Sequence, residues 1–261
     1  MNTKTHFALV TGASSGIGLA LAKGLAERRY NLLIVSNVED IHAAAAELRT
    51  LYPTIEVLPV VMDLSRQSSA RELYEYTRAH GIEVEVLVNN AGVYHDRDIL
   101  DDSEAFTELI MNLHMHTPAM LCYLFGQEMR ARKHGYILNV CSVTSKIVAQ
   151  RLGTYASTKS FLAAFTRSLH IELKPYGVYV TNVSPGAVDT GLYNIKPVFT
   201  RIGKCLGIIA SPEMLARRAL RALFHGRSKV TVPALFWHLL TFVILLIPTW
   251  MLRLIRRLGW F

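Results

Sequence analysis

Seven short aliphatic and β-branched runs alternate with longer helical stretches along most of the chain, and that alternation limits the possible folds more than any other feature. The runs lie near 7–11, 31–36, 55–61, 85–88, 135–141, 178–184 and 229–233, and helical patterns occupy 15–29, 39–51, 66–80, 103–133, 154–174 and 211–224. A strand, a helix and a further strand join in parallel through a right-handed crossover. Repeated along the chain, the unit predicts an α/β fold: a doubly wound parallel sheet of seven strands with helices on both faces. Ligands of such sheets bind at the carboxyl ends of the strands. No linker, low-complexity tract or repeat interrupts residues 1–233, which read as one domain.

Charge separates the chain into two parts. The formal net charge is +8, from 28 Lys and Arg against 20 Asp and Glu. The last acid is Glu213, and eight cations follow it: Arg217, Arg218, Arg221, Arg227, Lys229, Arg253, Arg256 and Arg257. Residues 1–213 are therefore neutral, with 20 cations and 20 acids, so a basic body that wraps nucleic acid is not expected. Three cysteines, Cys122, Cys141 and Cys205, show no CxxC spacing, and their odd number cannot close a disulfide framework. A reducing, cytoplasmic setting is the expectation. The first strand starts at Phe7, which leaves no room for a signal peptide before it.

Thr11-Gly12-Ala-Ser14-Ser15-Gly16-Ile17-Gly18 sits between the first strand and the first helix. Glycines there permit a tight turn and close approach of backbone to a pyrophosphate, and the following helix start offers free N–H groups to phosphate. The spacing is G-x3-G-x-G, not the G-x-G-x-x-G of two-domain dehydrogenases.

Further residues fall at successive strand ends: Asp63 after the third strand, Asn89-Asn90-Ala91-Gly92 after the fourth and Ser142 after the fifth. Asn112 lies in the long helix, Tyr155-Ala-Ser-Thr-Lys159 opens the next, and Pro185-Gly186 with Val188 and Thr190 follows the sixth strand. With these marks the chain resembles the short-chain dehydrogenase/reductase family over residues 5–233. The resemblance implies a Rossmann-type sheet that binds NAD(P)(H). It implies that Gly12, Ser14, Ser15, Gly16, Ile17 and Gly18 line the pyrophosphate and that Asp63 meets the adenine. It places Asn90, Ala91, Gly92, Pro185, Gly186 and Val188 along the cofactor, with Thr190 at the nicotinamide carboxamide. Asn89 is expected to steady the sheet. The second strand ends Val35-Ser36-Asn37, where neither a ribose-binding acid nor an arginine stands, so Ser36 and Asn37 favour NADP(H) over NAD(H). Glu39 and Asp40 read as the first turn of the next helix.

Tyr155 and Lys159 are four apart on a helix and share one face. An ordinary tyrosine ionises near pH 10, about three units above neutrality, and a neighbouring ammonium favours its phenolate. Tyr155 can then give a proton to a carbonyl in reduction or take one from an alcohol in oxidation. The family's pattern adds a hydrogen bond from Lys159 to the nicotinamide ribose. It also has Ser142 holding the carbonyl oxygen, and Asn112 binding a water that links Lys159 to solvent. Sugar-nucleotide epimerases share Tyr-x3-Lys, on a longer chain with a G-x2-G-x2-G turn. His114-Met-His116 lacks partners at metal-ligand spacing, so no metal is expected. Met111, Met115 and Met120 fit the apolar face of the long helix, which with the Tyr155 helix commonly forms the family's dimer interface. A homodimer or homotetramer is the expectation.

Residues 230–252 contain no formal charge, and cations flank both ends. As one helix they would extend about 34 Å at roughly 1.5 Å per residue, enough to cross a bilayer core. Residues 234–261 therefore read as a membrane-association segment, peripheral or anchoring, with basic flanks that leave the two open. If all strands are parallel, this segment leaves the sheet on the rim that carries Ser142 and Tyr155, and residues 187–212 form the substrate-covering loop on the same rim. The resulting expectation is a ketone reductase acting on a lipid-like or long-chain substrate, of the 3-oxoacyl or 3-keto-sphingoid type. Its rivals are a soluble reductase of small carbonyls whose tail mediates oligomerisation, and a non-catalytic nucleotide-binding sensor.

Overall fold

In the computed structural model, residues 6–94, 96–148, 151–190 and 208–232 are described, with Phe236, Trp237, Phe242, Val243, Ile247, Pro248 and Met251 beyond them. One sheet takes its strands from Phe7 to Val232: β1 (Phe7–Thr11), β2 (Asn31–Ser36), β3 (Val57–Val61), β4 (Val84–Asn89), β5 (Gly135–Val140), β6 (Val178–Pro185) and β9 (Lys229–Val232). Their order is β3-β2-β1-β4-β5-β6-β9, and every pairing is parallel. Two short strands, β7 (Ala187–Val188) and β8 (Ile209–Ala210), pair with each other outside this sheet.

Alternation along each strand divides the core into two layers. Ala8 and Val10 of β1 face α1 (Gly16–Ala26), α2 (Ile41–Leu51) and a late helix, α7 (Pro212–Phe224). Phe7 and Leu9 face the opposite layer of α3 (Ser69–Ala79), α5 (Thr117–Arg132) and α6 (Gly153–Leu173). All five residues of β1 are buried, because helices cover both sides of it. Strand order reverses between β1 and β4, and the crevice above that reversal is where the functional turns collect.

The helix expected over 103–133 is interrupted. It runs as α4 (Glu104–Met111), a wide π turn (Asn112–His116) and then α5. The Thr117 N–H donates to Asn112 O, five residues back. Pro118 has no N–H to donate to His114 O, so the regular ladder cannot resume before it. The expected uncharged helix is also shortened, since Val230, Thr231 and Val232 belong to β9. Most of residues 234–261 and of the expected loop 187–212 lie outside the described residues. Among the described residues, no helix is long and apolar enough to cross a membrane.

Candidate active site

The two turns flanking the strand reversal are stitched together by side chains. Thr11 Oγ1 donates to Val88 O at 3.3 Å and accepts the Asn90 and Ala91 amide protons at 3.0 and 3.1 Å. Asn90 Nδ2 donates to Thr11 O at 3.0 Å and to Gly12 O at 2.9 Å. Gly12 has φ +64, and a Cβ on it would lie 2.8 Å from Ala91 Cα. Gly16 has φ +56, and a Cβ there would meet Thr190 at 3.3 Å. Gly18 has no room for a side chain at all, because a Cβ would sit inside the contact radius of Gly12 O. Three glycines thus let backbone lie where side chains would otherwise fill the crevice.

A cavity opens over this turn. Gly12, Ser15, Gly16 and Ile17 line one side of it, and Asn90, Gly92, Val140, Tyr155 and Lys159 line another. Pro185, Gly186, Val188 and Thr190 complete it. A second cavity shares Gly12, Ser15, Gly92 and Val93 with the first and continues past Ser14, Ser36, Asn37, Asp63 and Ala91. Ser36 Oγ donates to Ser14 Oγ at 3.1 Å, so the two hydroxyls meet at the end of β2. Asp63 accepts from the Ser65 amide at 2.9 Å and its hydroxyl at 2.7 Å, and those bonds hold its carboxyl below the usual range. The continuous trough, with a cradle that any Cβ would fill and a free helix start beside it, suits an extended dinucleotide.

Tyr155 and Lys159 are both buried, at 6% and 4% exposure, on the first turns of α6. Lys159 Nζ donates to Val140 O at 3.1 Å and lies 5.8 Å from the centre of the Tyr155 ring. Burial pushes the Lys159 ammonium down to about 8. Ser142 caps a short turn (Val143–Lys146), accepting from the Thr144 amide at 3.2 Å and the Thr144 hydroxyl at 2.9 Å. Ser160 Oγ, on α6, donates to Ser145 O at 2.8 Å and fastens that turn beside the tyrosine. Lys159 and Tyr155 line the first cavity together with Cys141, whereas Ser142, the next residue along the chain, is not among its lining residues.

Asn112 begins the π turn and lines an outer groove with Met111, Met115, Met120 and Phe161. It is not among the residues lining the cavity that holds Lys159. Asn89 holds the sheet to α6, as expected: its Nδ2 donates to Asn139 Oδ1 at 2.8 Å, and Asn139 Nδ2 donates to Thr166 Oγ1 at 2.9 Å. Cys122 and Cys141 are buried thiols, each pushed up to about 12 by burial. His114 and His116 point apart, one buried and the other against Gln67 O, and the described residues hold no metal-binding group. Two neighbours of the tyrosine were not read from the sequence. Tyr94 packs edge-on at 5.5 Å between ring centres and His114 at 5.7 Å. The π turn that delivers His114 had one sequence signal, Pro118 within the apolar periodicity.

Trp237 packs against Gly186, one of the residues that line the first cavity. Its indole rests directly on Gly186, and its Nε1 donates to Ile208 O at 3.0 Å.

Comparison with known proteins agrees with this arrangement. The profile of the short chain dehydrogenase family matches residues 6–196. A very-long-chain 3-oxoacyl-CoA reductase of Pyrenophora tritici-repentis is 30% identical over 227 residues, covering 85% of this chain and 64% of that protein. The chain thus spans just under two thirds of that relative's length. A very-long-chain 3-oxoacyl-CoA reductase of Anas platyrhynchos is 31% identical over 223 residues, covering 82% of this chain and 67% of that protein. Among solved structures, a short-chain dehydrogenase from Sphingobium yanoikuyae in complex with NADPH superposes with TM-score 0.78 at 25% identity, covering 90% of this chain and 91% of that one.

Proposed function

The chain belongs to the short-chain dehydrogenase/reductase family, and from that premise we propose that it is an NADPH-dependent reductase of long-chain 3-oxoacyl substrates. One observation carries the reading. Tyr155 and Lys159 line the same cavity as the glycine turn, so a proton donor faces the place where a dinucleotide's redox end would lie. The names of the relatives supply the substrate class. The neutral pair Ser36 and Asn37, beside Ser14 and Ser15, supports NADPH, because no carboxylate there repels a 2′-phosphate.

When bound, NADPH would supply the hydride that the carbonyl carbon receives. Tyr155 gives its hydroxyl proton to the carbonyl oxygen, so that the ketone gains one hydride, which carries both electrons, and one proton to become a secondary alcohol. The Ser142 hydroxyl holds that oxygen as charge develops on it. Lys159 stands 5.8 Å from the tyrosine ring, and its ammonium favours the phenolate left behind. The backbone of Gly12, Gly16 and Gly18 would hold the pyrophosphate, Asp63 the adenine and Thr190 the carboxamide.

The uncharged, apolar sequence after β9 supports a site that works near a membrane. β9 is parallel to β6, its one neighbour in the described sheet, so its carboxyl end lies on the rim that carries the site. Phe242 and Val243, in that segment, are 63% and 56% exposed. The outer groove with exposed Met111 and Phe161 supports docking of a second copy.

The test is NADPH oxidation with 3-oxoacyl-CoA thioesters of graded chain length, with and without detergent. Rates that rise with chain length and vanish in Tyr155→Phe support the reading. Turnover that survives Tyr155→Phe, or prefers the shortest ketones, ends it in favour of a small-carbonyl reductase or another mechanism.

A further inference from the structure

His114 is 1% exposed and stands between the turn after β4 and the catalytic helix. Its two ring nitrogens have separate partners. The Val93 N–H donates to Nε2 at 2.9 Å, and Nδ1 lies 3.1 Å from Thr158 Oγ1. Thr158 has a single hydroxyl proton, which it gives to Tyr155 O at 2.8 Å. Thr158 must therefore accept from His114, so the ring is neutral with its proton on Nδ1. No other protonation state satisfies both ends. A protonated ring would turn an N–H against the Val93 N–H inside the fold.

We propose that His114 is a positioning residue for the reaction: held in the Nδ1–H form, it ties the turn after β4 to the carbonyl of Tyr155 and sets the tyrosine ring against Lys159. The idea rests on Tyr155 being the proton donor. Contacts fix the ring from two further sides. The His114 and Tyr155 rings meet edge-on, 5.7 Å apart at 78°. A Cβ on Gly92 would lie 2.8 Å from His114 Nε2, so the turn closes directly onto the imidazole. Among the described residues, Tyr155 is faced by groups that include Lys159 from its own helix, Tyr94 from the turn after β4 and His114 from the π turn. Cys141, the residue after β5, faces Lys159. Burial, with the Lys159 ammonium adding to it, keeps His114 well below its ordinary range, so Lys159 remains the cation beside the tyrosine.

The π turn explains how a helix supplies such a group. It turns His114 inward while Met111 and His116, on either side, stay exposed. Val93 lines the cavity, so the ring's two bonds touch different tasks: Nε2 supports the cofactor wall and Nδ1 supports the tyrosine.

Three variants separate those tasks. Gln at 114 can put an oxygen where Nε2 accepts, Asn can put an N–H where Nδ1 donates, and Leu can do neither. The readouts are kcat against pH for ketone reduction, NADPH affinity, and the ultraviolet titration of the Tyr155 phenolate. The last is taken as the difference between each variant and its Tyr155→Phe partner, and needs no ketone. For His114→Leu the expected result is a fall in kcat of about tenfold or more, since small misplacements are costly at a reacting centre. Its tyrosine titration should move up by about one unit as the ring leaves Lys159. His114→Asn should restore the titration, and His114→Gln should restore NADPH affinity instead. If the titration is unmoved in all three variants, the positioning role is overturned, even if stability falls. A moved titration in a protein that reduces no ketone would keep this inference and discard the substrate reading.

Discussion

Replacing Lys159 by methionine should make the cofactor-free protein more stable while ending its activity. The ammonium is buried, its ordinary pKa of 10.5 has fallen to about 8, and burial is the largest cause. At neutral pH the group carries its proton both folded and unfolded, and the folded state bears the cost of desolvating it. The distance between 10.5 and about 8, at roughly 1.4 kcal/mol per unit, gives about 3 kcal/mol. Methionine removes the charge and keeps most of the hydrocarbon. The variant loses the Nζ bond to Val140 O, a loss of about 1 kcal/mol, so the net gain is about 2 kcal/mol. The sign with pH follows from proton binding. Between about 8 and 10.5 the unfolded chain binds this proton more tightly than the folded one, so wild-type stability from this group rises with pH across that window. The advantage of Lys159→Met should therefore shrink as pH rises from 8 toward 10.5. Urea unfolding of both proteins without nucleotide, at neutral pH and at the upper end of that window, measures it. A variant no more stable than wild type at neutral pH, or an advantage that does not shrink, would refute the reasoning.

Ser36→Asp should turn cofactor preference toward NADH, because a carboxylate beside Ser14 repels a 2′-phosphate and accepts from a ribose hydroxyl. The ratio of kcat/KM values for the two nucleotides should change by at least about tenfold, or roughly 1.4 kcal/mol, and an unchanged ratio counts against placing the ribose there. Gly18→Ala forces a methyl onto Gly12 O and should cost about 1–3 kcal/mol of stability together with nucleotide affinity. Thermal unfolding and calorimetric NADPH titration report the two losses separately, and wild-type values for both would show that the turn has slack. Gly186→Ala should push the Trp237 indole away, shifting its emission to the red in a Trp250→Phe, Trp260→Phe background. An unshifted spectrum would mean the tryptophan does not rest on this glycine.

The sheet was legible because buried parallel strands leave runs such as Leu32-Leu-Ile-Val35 that few other elements tolerate. The glycine turn was legible for a related reason: at Gly12, Gly16 and Gly18 neighbouring atoms exclude a side chain, so composition records the geometry. Tyr155 and Lys159 could be paired because helix spacing alone puts them on one face. That same spacing misled over 103–133. A π turn adds a residue that regular periodicity does not carry, and His114, weighed in the sequence only as a metal ligand, is turned against the tyrosine. Asn90 shows a different limit. It lines the cavity, but its Nδ2 bonds to Thr11 O and Gly12 O join residues 79 and 78 positions apart, which no local pattern encodes.

The direction of one strand ties the charge asymmetry of the sequence to the chemistry. Had β9 been antiparallel, the basic, apolar end of the chain would leave the sheet on the floor opposite the cavity. Because β9 is parallel, Val232 pairs beside Pro185, and the Gly186 amide donates to Val232 O at 2.9 Å. Five residues later Trp237 lies on that same glycine and bonds Ile208, just before β8 pairs with β7. The described start of the tail therefore braces the stretch of wall formed by Pro185, Gly186 and Val188, which would support the redox end of the cofactor. An enzyme whose tail only tethered it to a surface would have no need for that contact. Deleting residues 234–261 should consequently change the KM for NADPH as well as membrane partition. A truncated protein that leaves membranes with an unaltered KM would separate the two roles and leave the tail a tether alone.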